Sequence, residues 1–133
     1  GRSAAGVRGV KLKNKDKVVG ACVIKEKENT DKLDLLVLMD NGYGKRTGVK
    51  EYKTQQRGGS GIKTANITEK TGKLIFADII NKEADKEDLI VISRKGQVIR
   101  LPIHSIPELG RSTQGVRVMR LGNKDKVACA IRA

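Results

Sequence analysis

Aromatic residues are nearly absent from this sequence, whose 133 residues include one Phe, two Tyr and no Trp. Proteins that grip single-stranded nucleic acid or unpaired RNA commonly stack bases on aromatic rings. A chain with three rings offers little of that surface, and its core has to be built from Val, Ile and Leu. The shortage therefore argues against base stacking and favours contact with duplex phosphate for any nucleic-acid partner.

Metal-binding and catalytic groups are also scarce. Cys22 and Cys129 lie near opposite ends of the sequence without a Cys-x-x-Cys motif, and His104 is the only histidine. Because this spacing offers no zinc or iron–sulfur site, we expect no metal and no cofactor in this segment. Both thiols stand in apolar runs and are predicted to be small buried hydrophobes without a disulfide. No paired carboxylates, activated nucleophile or P-loop indicates an enzyme, so we also expect no small-molecule substrate.

Long apolar runs are missing as well. No window approaches the ~20 apolar residues of a membrane span, and no secretory signal opens the chain. These observations predict an intracellular, cytoplasmic protein that makes no contact with a membrane.

Positive charge is what the sequence has in excess. Lys and Arg outnumber Asp and Glu by 28 to 15, which gives a formal net charge of +13 and an isoelectric point near 10.0. Self-repulsion of this size favours a polyanionic partner. Duplex DNA is the first candidate, an acidic protein the second, and a folded ribosomal RNA the third.

Internal repeats organise the chain. The N-terminal GRSAAGVRGVKLKNKDKV matches the later GRSTQGVRVMRLGNKDKV when Gly1 is aligned with Gly110, and QRGGSGIKTANI between them matches with Arg57 on Arg2. A second pair of segments, DKLDLLVLMDNGYGKRTGV and DKEDLIVISRKGQVIRLPI, aligns with Asp31 on Asp85. The two series agree on one structural unit of about 54 residues, a repeat length close to that of a propeller blade.

Each unit is predicted to form an antiparallel sheet. The aliphatic runs LDLLVLMD and EDLIVISR end in turn signals at Asn41-Gly42 and Lys95-Gly96, so each begins a hairpin whose first strand is buried on both faces. Further strands are predicted over GVRGVKL, VVGACVI and their C-terminal copies, and over 74–80. The expected fold is all-β, with propeller-like, four-stranded antiparallel blades. We expect a partial blade over 1–30 and blades over 31–84 and 85–133, as an excerpt of a longer array.

The motifs NGYGKRT, QQRGGSGI and GRSTQGVRVMRL, in this order, resemble the C-terminal domain of DNA gyrase A subunits. The resemblance implies a β-pinwheel, in which neighbouring blades exchange hairpins and the rim wraps double-stranded DNA without sequence preference. It also implies a bacterial, nucleoid-associated protein that acts with the B subunit, and with the rest of the A subunit, in ATP-dependent negative supercoiling. The alternatives are a basic propeller module that binds an acidic protein and the related topoisomerase IV A-type subunit.

That family carries a glycine-rich box with the pattern Gln-Arg/Lys-Arg-Gly-Gly-Arg/Lys-Gly. The run Gln55 to Gly61 fits it except at Gln56 and Ser60, both of which lack the expected positive charge. Since a complete hairpin precedes it, we interpret this run as a box-like loop at the repeat-equivalent place. Its glycines would let the main chain approach a phosphate, and the amides of residues 58–61 would form an anion-binding nest. The predicted loop comprises Gln55, Gln56, Arg57, Gly58, Gly59, Ser60 and Gly61.

Recurring cations are the candidate DNA contacts, because phosphate neutralisation supplies most of the affinity in sequence-independent binding. Each could instead face solvent or pair with an Asp, and the third set described below could brace the blade junction. Lys45 is added because it precedes a recurring arginine. The three sets are Arg8, Lys63 and Arg117; Arg46 and Arg100; and Arg2, Arg57 and Arg111.

Overall fold

The computed structural model describes residues 1–83 and 86–133. In this part of the chain it contains seven β-strands and three single 3₁₀ turns, which confirms the predicted all-β fold. The strands are β1 (Leu33–Met39), β2 (Tyr43–Gly48), β3 (Leu74–Asn81), β4 (Asp88–Ser93), β5 (Val98–Pro102), β6 (Val116–Arg117) and β7 (Val127–Arg132). The 3₁₀ turns are Thr30–Lys32, Val49–Glu51 and Ile103–Ser105.

The two predicted hairpins are both present. β1 pairs antiparallel with β2 and β4 with β5, and the register repeats, since Leu36 faces Arg46 just as Ile90 faces Arg100 in the second unit. The strand predicted over 74–80 is β3, which pairs with β1. The repeat at Asp85, and with it the predicted boundary between residues 84 and 85, lies outside the described residues.

Sheet topology links the two units. The first sheet has the order β3-β1-β2-β6 and the second β5-β4-β7. β6, which follows the second hairpin in sequence, pairs with β2 of the first hairpin through Tyr43 opposite Arg117 and Gly44 opposite Val116. The first sheet is therefore completed by a strand of the next unit, and the second sheet has three strands in the described chain.

Two strands predicted near the N-terminus are absent from the described structure. Residues 6–12 and 18–24 form no strand, and Val10 makes only an isolated parallel bridge to Gly59. Their C-terminal copies contain β6 and β7, which pair with β2 and β4. A strand needs a partner for its amide and carbonyl groups. In the described structure neither N-terminal copy pairs with a strand of a hairpin, so their amide and carbonyl groups have no ladder to join.

The aliphatic core lies between the two sheets. Leu36, Ile80 and Leu89 are at most 1% exposed and belong to one cluster that also contains Ile103 and Ile106. β1 is buried on both faces, as predicted, whereas β4 alternates between buried and half-buried residues. Only the first hairpin therefore has a central strand that is covered on both sides.

Both cysteines are exposed, which contradicts the prediction of buried thiols. Cys22 lies in the segment 18–24, which forms no strand, and its thiol donates to Asp78 Oδ1 of β3 over 3.4 Å at the surface. Cys129 lies in β7, whose register shifts opposite Ile92 and Ser93. The inward face that begins at the buried Val127 consequently does not continue to Cys129.

Candidate nucleic-acid interface

One backbone device recurs in all three copies of the Gly-aliphatic-cation motif. The first residue is a glycine with positive φ, a backbone conformation in which a residue with a side chain would be strained. Two residues later comes a cation, and Arg8, Lys63 and Arg117 are all exposed. The glycines are Gly6, Gly61 and Gly115, with φ of 84°, 82° and 82°. The repeat thus presents one exposed positive charge per copy, two residues after a glycine of nearly the same φ.

The box-like loop is fastened to the N-terminal segment. The Gly58 amide donates to the Gly9 carbonyl over 2.7 Å, and the Lys11 amide donates to the Gly59 carbonyl over 2.8 Å. Gly58 and Gly61 have φ of 81° and 82°, a backbone conformation that glycine adopts without strain. Because the Gly58 amide is already bonded, the anion nest predicted over residues 58–61 is reduced to the amides after Gly58.

This attachment places the main chain of Arg8 beside the box-like loop that contains Arg57. The Arg8 carbonyl oxygen lies 3.7 Å from the place where a Cβ on Gly58 would stand, and Arg57 directly precedes Gly58. Both arginines are exposed, and neither forms an ion pair within residues 1–83 and 86–133. The remaining loop side chains, Gln55, Gln56 and Ser60, are also exposed.

The two hairpin arginines, Arg46 and Arg100, form ion pairs with carboxylates. Arg46 NH1 lies 3.0 Å from Asp34 Oδ2, and its Nε donates to the Ile106 carbonyl over 2.6 Å. Arg100 Nε lies 2.6 Å from Asp88 Oδ2. The arginine side chains are 15% and 67% exposed respectively. Arg46 is therefore an internal brace of the first hairpin and not the free DNA contact that was predicted, whereas Arg100 remains accessible beside its carboxylate.

Lys45 is buried, contrary to the exposed role that was predicted for it. Its ammonium donates to the Gly110 and Arg111 carbonyls over 2.7 and 3.0 Å and to Thr113 Oγ1 over 3.0 Å. Burial lowers the pKa of Lys45, which Glu51 partly offsets. This lysine holds the GRST turn against the first hairpin, so its charge is not accessible to a phosphate in this structure.

The three arginines of the third predicted set, Arg2, Arg57 and Arg111, differ in their burial and contacts. Arg111 is half-buried, and its NH1 donates to the Lys63 carbonyl over 3.2 Å, so it ties two copies of the repeat together. Its amide donates to Glu51 Oε2 over 3.3 Å. Arg2 and Arg57 are exposed. Bracing, the alternative use considered for this set, describes Arg111 only.

Sequence reasoning gave no binding role to Tyr43 or Lys70, which the structure brings next to Arg117. Arg117 NH2 donates to the Tyr43 hydroxyl over 3.2 Å, and its Cζ lies 5.6 Å from the ring centroid. Lys70 Nζ lies 5.7 Å from the same centroid. The one sequence signal was that Tyr43 is one of two tyrosines and that Gln97 replaces it in the second hairpin.

None of the helical turns in the described part of the chain has the length or the apolar character to cross a bilayer.

Comparison with known proteins gives concordant matches. A family profile described as the DNA gyrase C-terminal domain, beta-propeller, matches residues 1–25, 34–81 and 87–131. The chain is 48% identical over 123 residues to the DNA gyrase A subunit of Staphylococcus epidermidis ATCC 12228, covering 92% of the chain and 13% of that protein. It is 43% identical over 128 residues to the DNA gyrase A subunit of Staphylococcus aureus MRSA252, covering 96% of the chain and 14% of that protein. The chain thus spans a small part of these relatives.

Two solved structures share the fold. One is a DNA gyrase A C-terminal domain, with a TM-score of 0.76, 26% identity, and coverage of 96% of this chain and 41% of that one. The other is the C-terminal domain of DNA topoisomerase IV, with a TM-score of 0.82, 17% identity, and coverage of 96% and 38%. At the second identity the likeness concerns the fold alone.

Proposed function

Since the chain belongs to the family of DNA gyrase C-terminal domains, which adopt a β-propeller fold, we propose that it binds and wraps double-stranded DNA without sequence preference. In this proposal the segment is non-catalytic and serves as the C-terminal part of a gyrase A subunit. The wrap would support the ATP-dependent negative supercoiling that the whole enzyme carries out.

The observation that carries the proposal is the exposed cation in every copy of the Gly-aliphatic-cation motif. Arg8, Lys63 and Arg117 follow glycines of nearly equal φ, so the fold offers a charge at each repeat. Duplex DNA offers phosphates at regular intervals, and releasing their counterions supplies most of the affinity in non-specific binding. A net charge of +13 adds long-range attraction to the same partner.

Lack of sequence preference follows from what the described residues present to DNA. The helical segments in residues 1–83 and 86–133 are single 3₁₀ turns, so none can lie in a major groove as a recognition helix. Preference would then come from how easily a given duplex bends around the protein.

The wider context of the proposal comes from the relatives. The gyrase A subunits matched at 43% and 48% identity favour gyrase over topoisomerase IV, whose structure shares 17% identity. We therefore propose that the B subunit is a partner, together with the remainder of the A subunit, in the bacterial cytoplasm and at the nucleoid. The matched region covers 13% and 14% of those relatives, so these partners are inferred from the family.

A topology assay tests the proposal. The intact protein is incubated with relaxed closed circular DNA, a topoisomerase then relaxes the unwrapped DNA, and the change in linking number is read on a gel. The test variant carries Arg8→Gln, Lys63→Gln and Arg117→Gln. The control carries Lys32→Gln, Lys95→Gln and Lys126→Gln, because these lysines already bind Glu83, the Asn123 carbonyl and Asn41.

We expect the wild type and the control to shift the linking number and the test variant to shift it much less. An acidic polypeptide competitor is run in parallel with random-sequence duplex. If the wild type leaves the linking number unchanged and prefers the polypeptide, the chain is an acidic-protein binder and the DNA-wrapping proposal fails.

A further inference from the structure

Three separate elements meet at Tyr43. The residue lies in β2 and is 6% exposed, with its ring packed in a small cluster with Met39 and Ala65. Arg117 comes from β6, which belongs to the next unit, and Lys70 comes from the turn that precedes β3. The rigid ring is therefore a platform on which a strand of one unit and a turn of another place their charges.

The two cations lie near one phenolic oxygen without a carboxylate to neutralise them. Arg117 donates to this oxygen, and Arg117 and Lys70 lie 5.6 Å and 5.7 Å from the ring centroid, which is cation–π distance. Hydrogen bonding from Arg117 lowers the pKa of Tyr43, and the charges of Arg117 and Lys70 add to the effect. Within residues 1–83 and 86–133, neither Lys70 nor Arg117 forms an ion pair.

Lys70 and Arg117 are both exposed and carry the same charge, so a bound anion that contacts both relieves their mutual repulsion. An arginine guanidinium binds the oxygens of a phosphate through its planar fork, and a lysine adds a point charge. These are donors suited to a backbone phosphodiester.

We propose that Tyr43, Lys70 and Arg117 form a phosphate-contact site, in which Lys70 and Arg117 bind a phosphate of the duplex and Tyr43 positions Arg117. The inference rests on the proposed DNA-binding function and adds two residues to it. Tyr43 is a positioning residue, because its ring and hydroxyl fix the guanidinium that the exposed strand β6 would otherwise leave free to rotate.

The site belongs to one hairpin only. Gln97 occupies the position of Tyr43 in the second hairpin and supplies no ring. Because Arg117 is also paired with Tyr43 through the backbone of β2 and β6, a phosphate bound there rests on both repeat units at once. The proposed site therefore occurs once, whereas the other candidate cations recur from repeat to repeat.

The test measures the affinity of the intact protein for random-sequence linear duplex over a range of salt concentrations. The single variants are Tyr43→Phe, Lys70→Gln and Arg117→Gln, with the double variant Tyr43→Phe/Arg117→Gln. Tyr52→Phe is the matched control, because it also removes one phenol, one that is bonded to Thr64 Oγ1. Hydrogen exchange of β1 and β2 amides checks that each variant is folded.

We expect Lys70→Gln and Arg117→Gln each to make the slope of log K against log salt shallower by about one. Tyr43→Phe keeps the slope and weakens binding by about two- to tenfold, the effect of one hydrogen bond, while Tyr52→Phe changes neither. Since Tyr43 acts through Arg117, the double variant should bind no more weakly than Arg117→Gln alone.

The two proposals fail differently. A wild type whose affinity for duplex does not depend on salt overturns DNA binding through phosphate contacts, and this site with it. A wild type with a steep slope overturns this site alone if Lys70→Gln keeps that slope, or if the effects of Tyr43→Phe and Arg117→Gln multiply.

Discussion

Arg46 and Asp34 form an ion pair across the first hairpin, with NH1 3.0 Å from Oδ2 and the carboxylate fully buried. Lys82 lies 3.2 Å from the other carboxylate oxygen. The same pairing recurs in the second hairpin between Arg100 and Asp88, where the arginine is 67% exposed. One sequence repeat therefore supplies a buried brace in one hairpin and an exposed pair in the other.

Removing the two arginines should have unequal effects on stability. Arg46→Met leaves the Asp34 carboxylate buried with Lys82 as its remaining ion-pair partner. We expect this to lower the free energy of unfolding by about 3 kcal/mol. Arg100→Met breaks an exposed pair and costs less than about 1 kcal/mol. Urea unfolding of both variants beside the wild type measures the difference. Equal losses would mean that the burial of Asp34 does not matter.

Lys45 should matter for stability and not for DNA affinity. In Lys45→Met the Arg111 carbonyl and Thr113 Oγ1 lose the ammonium donor, at a cost of about 1–3 kcal/mol, while the Gly110 carbonyl still accepts from Thr113. Amides of residues 110–115 should exchange faster with solvent. The control is Lys50→Met, because Lys50 is exposed and bears the same charge.

The salt slope for duplex binding should be the same in Lys45→Met as in the wild type, provided that binding is measured below the unfolding transition. A slope that is shallower by about one would show instead that the ammonium of Lys45 reaches a phosphate.

Alanine substitutions in the two hairpin turns distinguish the cost of backbone strain from the cost of a steric clash. Gly42 and Gly96 have φ of 88° and 85°, so alanine at either position adopts an unfavourable conformation at about 1–2 kcal/mol. A Cβ on Gly42 would also collide with the Met119 carbonyl oxygen, whereas one on Gly96 meets nothing within 4 Å. Gly42→Ala should therefore lose clearly more stability in urea unfolding than Gly96→Ala.

Similar losses for the two alanine variants would indicate that the contact between the first hairpin turn and Met119 gives way without cost. The second unit would then be packed on the first more loosely than the structure indicates.

Asp125 should make stability sensitive to acid. It is 6% exposed, and hydrogen bonds from Ser93 and from the Lys126 and Lys95 amides lower its pKa from the ordinary value of 3.8. A depressed pKa in the folded state gives stability that is complete above that ordinary value and is lost as the pH falls through the folded one. The unfolding free energy of the wild type should thus exceed that of Asp125→Asn at pH 7, and the difference should shrink below pH 3.8.

The matched control for this measurement is Asp16→Asn, because Asp16 is the same residue of NKDKV in the N-terminal copy. Its exposed side chain makes no hydrogen bond within the described residues, so we expect no change in stability at either pH. A constant difference between wild type and Asp125→Asn across this range would contradict the role given to the carboxylate.

The periodic sequence pattern predicted the hairpins because the residues that determine a hairpin lie close together in the sequence. The aliphatic runs and the turns at Gly42 and Gly96 determine strand, turn and register within one hairpin, and the observed register repeats with the sequence. The same reasoning was wrong for residues 6–12 and 18–24, because a strand there requires pairing with a distant strand, and local sequence does not determine that pairing.

The candidate site was harder to predict than the fold, because repetition of a cation does not reveal which neighbours it has. Arg46 and Lys45 recur or adjoin a recurring position, yet packing turns both inward against Asp34 and the GRST turn. Tyr43 and Arg117 are far apart in sequence, and only the pairing of β6 with β2 joins them. Sequence patterns identified the exposed cation of each repeat and missed the contacts that cross between units.

The most direct test of the central claim is the affinity of the intact protein for random-sequence linear duplex as a function of salt. If about six exposed cations contact phosphates, log K should fall against log salt with a slope of roughly −5. An affinity that stays constant from low to high salt would contradict the account, because the recurring charges would then have no phosphate to neutralise.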